Sequence, residues 1–172
     1  IERGLVDAYR QVFAVLFWFV LLPGPAGAVL YRAAALLADE WRGPQPGVEP
    51  SPLVQSRSAF GRPARLLLDV LDWVPVRLTA LAFAVVGDFE DAVYCWRTQA
   101  GAWADRNLGI VLSAGAGALG VRLGMPLTEV EGLQPRSDLG LGEAADIQHL
   151  DGVVGLLWRA LVLWVFMLIL LG

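Results

Sequence analysis

The sequence predicts an all-α protein: an integral membrane bundle of helices with a broken first helix and amphipathic surface helices. Composition is the first reason, since 56% of the 172 residues are hydrophobic and only 17% are charged. An average soluble domain has about 25% charged residues. The second reason is the presence of four long apolar stretches, and the third is the lack of any repeated strand–helix–strand pattern.

The first apolar stretch runs from Val12 to Ala38. It is long enough to cross a bilayer, for which about 20 apolar residues suffice. Prolines and glycines interrupt it at Pro23, Gly24, Pro25 and Gly27. Proline lacks an N–H donor and clashes with the preceding helical turn. We therefore expect either one broken helix or two shorter helices.

Residues 41–64 are predicted to form a loop or mobile linker, because they are rich in proline and show no apolar period. Its prolines are Pro44, Pro46, Pro50, Pro52 and Pro63. We expect this loop to lie within a single membrane domain covering 1–172. The chain begins with Ile1 in a charged segment unlike a signal peptide, so we expect it to be truncated at its N-terminus.

The second apolar stretch, residues 65–91, contains Asp69, Asp72 and Arg77. A charge inside a spanning helix costs about 3 kcal/mol on insertion scales, so such side chains usually face a protein interior or a cavity. The two aspartates could equally begin the helix at the water interface, where acidic residues suit its N-terminus. Arg77 is harder to explain in that way, because it lies deeper in the apolar run.

A short amphipathic helix is predicted over residues 88–99. Acidic residues fill its first turn, as is favourable at a helix N-terminus. Its predicted apolar face consists of Phe89, Ala92, Val93 and Trp96. We expect it to lie at a membrane surface or to pack on the domain.

The third apolar stretch, Leu108–Leu123, contains a G-x-G-x-x-G motif at Gly115, Gly117 and Gly120. A dinucleotide-binding turn would need a strand before the motif, a helix after it and an acidic residue about 20 positions later. The sequence meets these conditions poorly. Small residues four apart instead favour close packing of helix backbones. The two predicted rows are Ser113, Gly117 and Val121, and Ala116, Gly120 and Gly124.

Residues 153–171 form the fourth stretch and predict the clearest spanning helix, with one charge at Arg159. This guanidinium either snorkels to the lipid headgroups or pairs with a carboxylate inside the bundle. Other chemistry is sparse. The net charge of −4 gives no basic face for nucleic acid. Cys95 and His149 are single residues of their type, so no disulfide framework or metal-ligand spacing is predicted, and a surface histidine is the simpler interpretation.

Three blocks of sequence resemble the CobD/CbiB family of cobalamin-biosynthesis membrane proteins, which also includes the AmpE branch. The blocks are FGRPARLLLDVLDWVPVRLTALAF (Phe60–Phe83), AGALGVRLG (Ala116–Gly124), and LFW followed by GAVLYRA between residues 16 and 33. They occur in the family's order and cover much of the chain. The resemblance implies a multi-pass protein of the bacterial inner membrane, with the lipid bilayer and possible membrane proteins as partners.

For the enzyme branch, the resemblance implies amide-bond formation between a corrinoid carboxylate and aminopropanol or its phosphate. Such a ligation implies ATP and Mg²⁺, although the sequence leaves the cofactor unknown. Two polar blocks of the family are missing here. Val6 and Arg10 stand where the family has Glu and Asp, and Ala35 and Ala38 stand where it has Asn and Asp. A conserved scaffold with an altered or absent active site is therefore one interpretation.

The candidate catalytic residues are Asp69, Asp72 and Arg77, and the candidate substrate-binding residues are Arg65, Thr79 and Arg122. The arginines suit an anionic group such as a phosphate. A structural set of ion pairs would equally explain these charges. Two non-enzymatic functions also stay open: an AmpE-like accessory protein linked to β-lactamase induction, and a purely structural membrane subunit.

Overall fold

The computed structural model describes residues 1–22, 25–40, 52–103, 105–124 and 138–171, and these are mostly helical. The α-helices are α1 (Glu2–Ala8), α2 (Ala14–Leu21), α3 (Ala26–Glu40), α4 (Pro52–Val86), α5 (Phe89–Gln99), α6 (Arg106–Leu119) and α7 (Leu150–Leu171). A π-helical segment covers Tyr9–Phe13, and 3₁₀ turns cover Ala100–Ala102 and Ile147–His149. Two short strands are β1 (Val121–Arg122) and β2 (Glu143–Ala144).

The chain divides into two compact units. The first unit contains Ile1–Phe13 and Val74–Gly172, and the second unit contains Ala14–Trp73. The single domain predicted over 1–172 stays a prediction.

The first helical segment begins earlier in the chain than the apolar pattern predicted. It is continuous from Glu2 to Leu21, through the π-helical segment, instead of starting at Val12. The predicted break is confirmed, because α2 ends at Leu21 and α3 starts at Ala26. A Cβ on Gly27 would collide with the Trp18 carbonyl, so the start of α3 lies directly against α2.

The predicted loop over 41–64 is wrong for its second half. Residues 41–51 lie outside the described part of the chain, but from Pro52 the backbone is helical for 35 residues. Pro52 is the first residue of α4, a position where the missing N–H has no helical acceptor to lose. Pro63 is exposed inside the same helix. Pro52 therefore begins a helix instead of lying in a linker.

The amphipathic helix after residue 87 is confirmed as α5. Asp88 is its N-cap, and the Asp88 side chain accepts a hydrogen bond from the Asp91 N–H at 3.1 Å. Its buried residues are Ala92 and Cys95. The predicted apolar face was only partly correct, since Phe89 is 55% exposed.

The glycine motif lies on α6, and its function as a packing surface is confirmed. A Cβ on Gly117 would approach the Asp91 carbonyl and Ala92 Cα of α5 closer than 3.0 Å. Gly115 faces Leu5 and Phe83. The α6 backbone can therefore approach α5 closely only because position 117 has no side chain.

The predicted small-residue rows extend too far, because α6 ends at Leu119. Gly120 adopts a left-handed conformation with φ of 63°, and its N–H caps the helix at the Ala116 and Gly117 carbonyls. Val121 and Gly124 therefore lie beyond the helix. Val121–Arg122 instead pairs in parallel with Glu143–Ala144, so the all-α prediction missed this two-stranded sheet.

The backbone next to the two strands is held by side chains from α1 and α5. Leu123 and Leu139 form an antiparallel bridge. Next to it, the Gly124 N–H donates to Glu2 Oε1 at 2.8 Å, and the Gly140 N–H donates to Gln99 Oε1 at 2.6 Å. These contacts join α1 and α5 to the strand region within the first unit.

Two helical segments among the described residues are long and apolar enough to cross a membrane: Glu2–Leu21 and Leu150–Leu170. The second confirms the helix predicted over 153–171. Its Trp164 is buried, and the rings of Trp164 and Phe83 both contact the Phe13 ring, with centroids 6.1 Å and 5.9 Å away. Arg159 is exposed.

Cys95 provides a pH-dependent prediction for α5, which lies outside both candidate spans. Burial raises the pKa of the Cys95 thiol, and the Asp91 carboxylate raises it further. The unfolded thiol therefore loses its proton at lower pH than the folded one. The free energy of unfolding should fall as pH rises above about 8.5, the pKa of an unperturbed thiol.

The measurement is denaturant unfolding in detergent at increasing pH, compared with Cys95→Ala. The variant should lose this part of the pH dependence. Iodoacetamide should also alkylate Cys95 far more slowly in the folded protein than in the unfolded chain. Equal alkylation rates in both states would contradict the buried position of the thiol.

Candidate functional site

The candidate site in the second unit is a buried carboxylate held by a buried phenol. Asp72 on α4 is only 3% exposed, and Tyr31 on α3 is fully buried. The Tyr31 hydroxyl donates a hydrogen bond of 2.8 Å to Asp72 Oδ1. Carboxylates are almost never buried to this degree unless they are paired or hydrogen-bonded.

A second polar contact lies one residue earlier on α4. The Trp18 indole N–H of α2 donates to the Leu71 backbone carbonyl at 3.2 Å. Because α3 folds back on α2 at Gly27, both helices place a donor on neighbouring residues of α4. Each hydrogen bond joins α4 to one neighbouring helix of the second unit.

The other two predicted residues of the second unit are in a different environment. Asp69 and Arg65 are both exposed. They lie one turn apart on α4, as the spacing predicted. Asp69 and Asp72 are three residues apart on α4, but Asp69 is exposed and Asp72 is buried. The structure therefore distinguishes two carboxylates that the sequence treated as equivalent.

Arg77 and Thr79 are also on α4 but belong to the first unit. Arg77 is half-buried. Thr79 is fully buried, and its hydroxyl oxygen has no hydrogen-bond partner among the residues that the structure describes. Burying a hydroxyl without a hydrogen-bond partner costs free energy of folding. The Thr79 hydroxyl is therefore available to bind a polar group.

Arg122 lies on β1 of the first unit with an exposed side chain. Its backbone carbonyl accepts a hydrogen bond from the Ala145 N–H at 3.1 Å. The helical position expected for this residue is wrong, because the chain leaves the helix at Gly120. The binding functions of Arg65, Thr79 and Arg122 stay predictions, as do the catalytic functions of Asp69, Asp72 and Arg77.

Two of the altered family positions lie in the interior of the second unit. Ala35 and Ala38 are 6% and 4% exposed, on the same buried face of α3 as Tyr31. Polar side chains at these positions would therefore be buried. In this chain both positions carry only methyl groups.

The described residues do not form a metal site. No three His, Cys, Asp or Glu side chains come together closely enough to hold a metal ion in the described ranges. Mg²⁺ is usually held by one or two carboxylates together with substrate phosphates and water, an arrangement that does not need a group of three protein ligands.

Tyr31 is the residue that sequence reasoning missed. It was noted only as part of the family block, without a function. The available signal was its position: four and seven residues before Ala35 and Ala38, it shares their face of a helix. Its partner on α4 could not be read from a local pattern.

Comparison with known proteins identifies the family. The family model described as CobD/Cbib protein matches residues 4–157. The chain belongs to the CobD/CbiB family. A protein of Stutzerimonas stutzeri named cobalamin biosynthesis protein CobD is 38% identical over 98% of this chain and 52% of its own length. A Chromobacterium violaceum protein of the same name is 38% identical over 95% of this chain and 49% of its own length.

A third relative of that name, from Mycobacterium tuberculosis, is 38% identical over 55% of this chain and 32% of its own length. The chain thus spans about half the length of the first two relatives. No solved structure matches it.

Proposed function

We propose that this CobD/CbiB chain belongs to a membrane enzyme of cobalamin biosynthesis. In the proposed reaction, an activated corrinoid carboxylate is joined by an amide bond to aminopropanol or its phosphate. The observation that carries the proposal is the 38% identity to cobalamin biosynthesis proteins over nearly the whole chain. The buried Tyr31–Asp72 pair supports it, since it places a hydrogen-bonded carboxylate in the interior of the second unit.

A location in a multi-pass bundle of the bacterial inner membrane is part of this proposal. Two candidate spans support it. So does a stripe along α4 that is apolar apart from Arg77 and whose exposed members are Leu66, Leu67, Val70, Trp73, Val74, Leu81 and Val85. From Leu66 to Val85 a helix rises about 30 Å, which equals the hydrocarbon thickness of a bilayer. Such a stripe is unfavourable in water and suits lipid.

The chemistry that Asp72 would perform follows from amide formation. The amine nitrogen attacks the activated carbonyl carbon, the bond to the leaving group breaks, and the nitrogen gives up a proton. An ionised carboxylate can hold the amine by a charge-assisted hydrogen bond and accept that proton.

The test is genetic complementation with the full-length parent gene in a host that lacks its own CobD/CbiB enzyme. Growth that depends on cobalamin made from cobyric acid is expected, with the protein in the membrane fraction. An empty vector and a known active family member are the controls.

Absence of growth, with the protein present in the membrane, would contradict the ligase proposal. It would leave the shared family as the only result and favour the AmpE-like accessory function. None of the three relatives described above has an AmpE name, so no comparison supports that alternative at present.

A further inference from the structure

We propose that Tyr31 is a positioning residue that holds the Asp72 carboxylate in its working orientation. This inference rests on the proposed ligase function and deepens it at the same site. Tyr31 belongs to none of the residue sets predicted from the sequence. Its assignment comes from its buried contact with Asp72.

The geometry favours positioning over simple packing. Tyr31 is fully buried, and its hydroxyl lies 2.8 Å from Asp72 Oδ1. Phenylalanine would fill almost the same space without removing a hydroxyl from water, so packing alone does not explain a tyrosine here. The hydroxyl donates to one carboxylate oxygen, which restricts rotation of the side chain.

The surroundings of the pair increase the effect of this contact. Ala34, Ala35 and Ala38 place methyl groups on the buried face of α3 beside Tyr31. A hydrogen bond that is withdrawn from water is stronger than one exposed to it. The buried Tyr31 hydroxyl thus restricts the orientation of Asp72.

The experiment uses the full-length parent protein, purified in detergent and supplied with cobyric acid, aminopropanol or its phosphate, ATP and Mg²⁺. Tyr31→Phe should lower kcat about 10- to 100-fold, the range for loss of a hydrogen bond to a charged group. KM should stay unchanged, because Tyr31 acts on Asp72 and not on the substrates. Activity is expressed per folded molecule, measured by size-exclusion chromatography and Tm.

Trp18→Phe is the matched control. It removes the part-buried indole N–H donor of the same unit. That N–H donates to the backbone carbonyl of Leu71, next to Asp72, and not to the Asp72 carboxylate. The substitution should lower Tm while kcat per folded molecule stays at the wild-type value. An equal loss of kcat in both variants would mean that Tyr31 only supports the fold, and would overturn the proposal.

An unchanged kcat in Tyr31→Phe, with an active wild type, would overturn the positioning function alone. An inactive wild type would overturn the ligase function and this proposal together. If Tyr31→Phe does not accumulate, 3,5-difluorotyrosine at position 31 keeps the ring but alters the acidity of its hydroxyl. A changed kcat in that protein supports positioning, and an unchanged kcat overturns it.

Discussion

Asp72→Asn is expected to abolish cobyric acid-dependent growth while the protein still accumulates in the membrane. Asparagine has the shape of aspartate, and its carbonyl oxygen can still accept the Tyr31 hydrogen bond. It cannot take up a proton from an attacking amine. Loss of a general base lowers the rate by on the order of 10²- to 10⁴-fold, which is enough to stop growth when this step limits cobalamin supply.

The measurement is complementation together with membrane fractionation and kcat of the purified full-length protein. Glu90→Gln, an exposed carboxylate on α5, is the control and should grow like the wild type. Asp69→Asn tests the exposed carboxylate one turn away on α4. If Asp69→Asn stops growth and Asp72→Asn does not, the exposed carboxylate is the working one and the buried pair is structural.

The sequence predicted the features that depend on neighbouring residues. The start of α5 was predicted from acidic residues at the beginning of an amphipathic run, which is a local pattern, and Asp88 is its N-cap. The break between α2 and α3 is local as well, since it follows from the prolines and glycines at 23–27. Gly117 was recognisable as a packing position from the spacing of small residues alone.

The features that it missed depend on contacts between distant parts of the chain. Nothing in the local pattern around Asp72 shows that Tyr31, 41 residues earlier, reaches its carboxylate. The end of α6 at Gly120 was missed because Val121 could have continued the helix, whereas it pairs with Glu143 on β2. Pro52 was misread because proline both breaks helices and begins them.

The candidate site was predictable only as a set of charged residues on α4. Asp69 and Asp72 are three residues apart, yet Asp69 is exposed, whereas Asp72 is buried against Tyr31 of α3. The spacing of two residues in the sequence shows whether they lie on the same side of a helix. It does not show which of them a neighbouring helix covers. That difference decides which of the two carboxylates is withdrawn from water.

Gly117→Ala is expected to destabilise the first unit strongly for so small a change. The added methyl group would meet backbone atoms of Asp91 and Ala92 closer than 3.0 Å, and backbone cannot move aside as a flexible side chain can. Overpacking of this kind costs about 1–3 kcal/mol, which lowers Tm by roughly 2–12 °C for a chain of this length. Thermal unfolding of the full-length protein in detergent measures the effect.

Gly4→Ala is the matched control, because it makes the same substitution in a helix where nothing lies within 4 Å of the new Cβ. Alanine favours helix over glycine by about 1 kcal/mol, so Tm should stay the same or rise slightly. The contrast separates helix propensity from packing, since both variants gain the propensity and only Gly117→Ala meets the α5 backbone. Equal Tm values for the two variants would mean that α5 and α6 do not pack as closely as Gly117 requires.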